Sequence, residues 1–123
     1  MATAAAKNLK PTSDNRWETL WIPPLRQRDE FRDRALECMG EKKIDMNQMV
    51  IFTCFIDYGS VTNKLADPST GEYDWDRGLV ASMDELCEIT CKSLGQPREK
   101  VVEAGNLFVE LGLLQGLTRE RAP

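Results

Sequence analysis

Between Ser82 and Leu114 the apolar residues form two helical stripes separated only by Gly95-Gln96-Pro97. Met83, Leu86, Cys87, Thr90 and Leu94 line one face of the first. Val101, Ala104, Gly105, Phe108 and Leu111 keep the i, i+3, i+4, i+7 spacing of a single buried stripe in the second. Ser82 and Glu85 match a capping box, in which hydroxyl and carboxylate satisfy each other's orphan amides at a helix start. Gly95 suits the end of the first helix and Pro97 the first turn of the next, while Gly112 closes it. Leu113, Leu114 and Leu117 then predict a short returning strand. Two short helices this close in sequence must share one core, and that limits the architectures open to the chain.

The rest of the chain divides around this pair. Residues 1–15 carry no periodic pattern and are expected to be a disordered tail. Residues 16–25 form an extended docking segment, because Trp17, Leu20, Trp21 and Ile22 are costly to leave in water and Pro23-Pro24 enforces an extended exit. From Arg26 to Gly40 the spacing of Phe31, Ala35, Leu36 and Met39 predicts a helix, with Glu30 and Arg34 as an i,i+4 pair. Asp45 reads as the N-cap of a second helix, Met46 to about Tyr58, buried through Met49, Val50, Phe52, Phe55 and Ile56. Gly59 to Ala81 is loop-rich. Asp67 to Gly71 predicts a turn, and Leu79-Val80-Ala81 a short strand that could pair with an extended piece holding Tyr73 and Trp75. Residues 26–117 thus form one domain, mainly α with a small β component, followed by a charged tail at 118–123.

A length of 123 residues suits a single domain with one core. The net charge of -4 confines any phosphate-binding footprint to a local patch. No apolar run has the length of a membrane span, and residues 1–10 lack the apolar core of a signal peptide, so the cytoplasm is the default and no membrane partner is expected. Cys38, Cys54, Cys87 and Cys91 lie mostly inside helical patterns and read as packed free thiols. Cys87 and Cys91 are one helical turn apart, but structural zinc needs four ligands. The chain has no histidine, which removes the commonest general base and metal ligand. Asp74 and Asp76 flank Trp75 without the continuation of a calcium loop. With no nucleophile–base pair or phosphate loop in view, a non-enzymatic protein without cofactor or metal is expected.

Ser82-x-x-Glu85-Leu86, Leu94-Gly95, Val101 and Leu111-Gly112-Leu113-Leu114 together resemble the winged helix-turn-helix superfamily. The likeness runs from about Asp45 to Leu117 and is to small plasmid and phage replication or regulatory DNA-binding domains. It implies a winged-helix-like domain with an N-terminal extension, and a homodimer that binds double-stranded DNA. Such a protein would be a transcriptional regulator, or a replication or partition accessory of a phage or plasmid. The helix from Pro97 would be the recognition helix, with Arg98, Lys100 and Asn106 reading the groove. Arg26, Arg28, Arg32, Arg119 and Arg121 would sit on phosphates, although Asp29, Glu30 and Asp33 interleave with the first three.

The charges also support a different partner. Between Ser82 and Pro123 there are five Lys or Arg and seven Asp or Glu. The face of the last helix away from the core carries Glu99, Glu103 and Glu110, and carboxylates there oppose a line of phosphates. The alternative is an acidic adaptor or inhibitor that binds a basic protein. It would use Glu99, Glu103 and Glu110 with a Trp17–Trp21 anchor, as a mimic of nucleic-acid charge.

Overall fold

Strand β1, Trp17–Ile22, is the central strand of the only sheet among the described residues. The computed structural model describes residues 17–62 and 64–119, with Thr118 and Arg119 described by backbone alone. The expected tail at 1–15 and the Arg121 position lie outside the described residues.

In β1, Leu20 and Ile22 alternate into the core, as a half-buried strand requires. Pro23 and Pro24 end it, since neither has an amide hydrogen to continue a ladder. A 3-10 turn at Leu25–Gln27 leads into α1, Arg28–Gly40. Helix α2, Met46–Ile56, starts at Asp45, whose carboxylate accepts from the Gln48 amide while the Gln48 side chain accepts from the Asp45 amide. A single turn, α3 (Tyr58–Val61), follows.

After the loop, β2 (Leu79–Ser82) runs directly into α4 (Met83–Leu94). The Ser82–Glu85 capping box forms as expected. Gly95 ends α4 at φ 67°, a left-handed conformation that glycine adopts without steric cost, and its amide donates to the Cys91 carbonyl. Pro97 stands just before α5 (Arg98–Glu110), in the cap position rather than inside the first turn. Gly112 closes α5 at φ 75°. Strand β3, Gln115–Arg119, completes an antiparallel sheet of order β2-β1-β3.

Helix α2 packs against α1, α4 and α5, and Ile51, Phe52, Phe55 and Ile56 are fully enclosed. Phe108 of α5 meets Phe52 and Phe55 edge-on, with centroids 5.0 and 5.7 Å away. Val101, Ala104 and Gly105 continue that buried stripe. The sheet closes the other side through Leu20, Ile22 and Ala81.

Several expectations are corrected here. The partner of Leu79–Ser82 is β1, which places Leu20 opposite Ala81 and Ile22 opposite Leu79. Tyr73 forms an isolated bridge to Ala66 instead, because β1 offers that edge two core-facing aliphatic residues and the Tyr73–Trp75 piece does not. Leu113 and Leu114 are buried in the turn and the returning strand starts at Gln115, so Thr118 and Arg119 belong to the sheet rather than to a tail. Leu36 and Val50 are exposed, since one buried stripe on each helix suffices to meet its neighbours. The first helix starts at Arg28 and the second ends at Ile56.

Phe108→Ala removes the ring shared by two edge contacts. It should lower unfolding free energy by about 3–5 kcal/mol, read from urea midpoints.

Candidate functional site

The two helices α4 and α5 enclose a three-residue turn, and a reciprocal amide pair braces that turn from α2. Asn47 donates to Gln96 at 3.1 Å and Gln96 returns a bond at 2.8 Å. The exposed side of α5 carries Glu99, Lys100, Glu103 and Glu110. Arg98 begins the helix, and its guanidinium is taken up by Asp84 of α4, whose carboxylate raises the Arg98 pKa. Lys100 has no ion pair among the described residues.

Three of the arginines proposed for phosphate contact are also paired with carboxylates. Arg26 pairs with Asp76, Arg28 with Asp57 at 3.2 Å, and Arg32 with Asp29 at 2.9 Å. Arg119 lies in the edge strand β3. Asn106, a candidate base reader, is half-buried, and its Oδ1 accepts from the Trp17 amide at 3.3 Å, tying α5 to the start of β1. The structure therefore brings Asn106 and Trp17 together, while Arg26 and Asp76 meet away from α5.

Glu85 is the best-connected carboxylate. Its Oε2 accepts from the Tyr58 hydroxyl at 2.9 Å and from Lys64 Nζ at 2.8 Å. Its Oε1 faces the Ser82 amide and hydroxyl. The Lys64 bond, more than the Tyr58 and Ser82 bonds, holds its pKa down to about 2. Lys64 is raised by the same contact, and it also lies over the Tyr58 ring at 5.5 Å. This network joins α3 to the cap of α4.

A groove opens between α1, the end of α5 and the sheet, with a volume of about 490 Å³. Trp17, Trp21 and Phe31 supply its aromatic walls, and Val109, Leu113 and Leu114 its aliphatic walls. Trp21 and Phe31 stand 6.5 Å apart and tilted. Glycine is required beneath both indoles: a Cβ at Gly116 would come within 2.3 Å of the Trp17 ring, and one at Gly78 within 2.5 Å of the Trp21 ring. Arg34 closes one side, with its guanidinium 4.7 Å from the Phe31 centroid and donating to the Gly112 carbonyl at 3.0 Å. The expected Glu30–Arg34 pair is not formed, because the ring and the carbonyl hold that guanidinium instead.

Sequence reasoning singled out Trp17 and Trp21 but not Phe31, Arg34 or Gly116 as their companions. A run of four arginines gave no sign that Arg34 differs from its neighbours.

No group of three or more His, Cys, Asp or Glu able to hold a metal ion occurs among the described residues. Cys38, Cys54 and Cys91 are free thiols, and burial pushes Cys54 upward, away from a reactive thiolate. No helix among the described residues is long and apolar enough to cross a membrane.

No protein-family model, curated protein or solved structure matches this chain.

The Glu85 contacts make an acid-sensitive element. A carboxylate with a lowered folded pKa contributes its stability above the ordinary range near 4.5 and loses it as pH falls toward 2. The Glu85 side chain is 42% exposed, so the contribution is screened to about 1 kcal/mol. Urea unfolding between pH 7 and pH 3 should show Glu85→Gln less stable at neutral pH by that amount. The gap to the parent should narrow as the pH drops.

Proposed function

We propose that the chain is a non-enzymatic interaction module that presents the acidic face of α5 to a basic protein partner. One observation carries this reading. Arg26, Arg28, Arg32 and Arg98 each sit on a carboxylate of the same molecule, and Asn106 is committed to the Trp17 amide. A phosphate would have to displace those carboxylates. Glu99, Glu103 and Glu110 meanwhile remain exposed on α5.

Like charges along that helix repel a duplex and steer a cationic surface toward it. Trp17 adjoins the same surface through Asn106, which supports an aromatic anchor beside the acidic stripe.

A second reading keeps DNA as the ligand. The capped pair α4–α5 joined at the left-handed Gly95 supports a helix-turn-helix reading, and Lys100 stands exposed near the start of α5. In that reading the chain is a regulator or a replication or partition accessory.

Salt-dependent titration separates the two. Labelled random duplex and a labelled oligo-arginine peptide are each titrated with the protein as salt rises. The acidic module should bind the peptide and leave the duplex unbound at low salt. Glu99→Lys with Glu103→Lys should weaken peptide binding by roughly tenfold or more. Saturable duplex binding with a steep negative salt slope would establish the DNA reading instead.

A further inference from the structure

We propose that the tryptophan groove receives Trp75 from a second copy of this chain, in a reciprocal two-fold dimer. The groove has aromatic walls from Trp17, Trp21 and Phe31 and a volume of about 490 Å³, within the range of sites that enclose a small ligand or a large side chain. Arg34 stands at its side. Packing on Phe31 and the bond to the Gly112 carbonyl fix its guanidinium, yet it has no carboxylate partner among the described residues. Arg26, Arg28, Arg32 and Arg98 all have one. An aromatic slot beside a positioned, unneutralised guanidinium calls for an aromatic group next to a carboxylate.

The same chain displays that combination. Trp75 is 50% exposed and lies between Asp74 and Asp76. It is not one of the groove's walls. Its loop is held in shape from below: the Trp75 carbonyl accepts from the Arg26 amide at 3.0 Å, and Asp76 is paired with Arg26. Asp74 accepts from the Asp76 amide at 3.1 Å and makes no ion pair among the described residues. A preformed loop that presents an indole beside an available carboxylate offers an aromatic group to the groove's aromatic walls and an opposite charge to its guanidinium. Each copy carries one loop and one groove, so a two-fold axis satisfies both at once and closes the assembly at two. Glu99, Glu103 and Glu110 are not among the groove's walls.

Sedimentation velocity across a concentration series reads the result. The parent protein should shift from monomer to dimer, and Trp75→Ala should weaken the dimer at least about tenfold. Arg34→Asp and Asp74→Arg should each do the same, because each places like charges together in both contacts. An equimolar mixture of those two variants should regain the parent dimer, since both contacts then join Asp to Arg. That recovery cannot come from chains that fail to fold. Glu99→Lys with Glu103→Lys should leave the dimer unchanged. A parent protein that stays monomeric throughout overturns the proposal. So does a dimer indifferent to Trp75→Ala, a mixture that does not recover, or a dimer lost with the α5 variant.

Discussion

Strand β1 is the piece on which the remaining structure depends. Its two neighbours, β2 and β3, do not touch each other, and each pairs only with it in the three-stranded sheet. Without Trp17–Ile22 the backbone groups of Leu79–Ser82 and Gln115–Arg119 would lose their ladders, and Leu20 and Ile22 would leave the core open on that side. The Asn106–Trp17 bond spans 89 positions of sequence. A contact of this range closes a long loop, and the chain entropy that closure costs must be offset by the apolar burial and ladders β1 brings with it.

The placement of β1 also shapes the surface. Trp17 and Trp21 end up over Gly116 and Gly78, where any larger side chain would displace an indole. That contact carries the aromatic walls up to Phe31 and Arg34. A groove arises where the sheet, α1 and the end of α5 meet, built from three segments far apart in sequence. Charge follows a comparable logic. Arg26, Arg28, Arg32 and Arg98 are matched by carboxylates, three of them on neighbouring elements, which lowers repulsion at the surface and makes them less ready phosphate ligands.

Local grammar was legible where one segment settles its own structure. The Ser82–Glu85 cap, the Asp45 cap and the Gly95 stop all act within four residues, and each formed as read. The stripe Val101, Ala104, Gly105 and Phe108 is buried as its spacing required. Trp17 and Trp21 read as part of an extended docking segment, and both lie in a strand, but its two partner strands come from distant parts of the chain that no local pattern indicates. The pairing of Tyr73–Trp75 with Leu79–Ala81 failed for a similar reason: nearness in sequence lost to a better apolar match from the other end of the chain.

The sequence by itself therefore determined that the four longer helices exist, where the capped ends at Asp45, Ser82 and Gly95 fall, and which stripe of the last helix faces inward. Those outcomes follow from backbone hydrogen bonding and side-chain periodicity over a few residues. Tertiary structure decided which strand fills the middle of the sheet, which arginines are neutralised, and which one is left beside an aromatic groove. Those outcomes depend on distances between residues dozens of positions apart, and a linear pattern of charges and rings contains no measure of them.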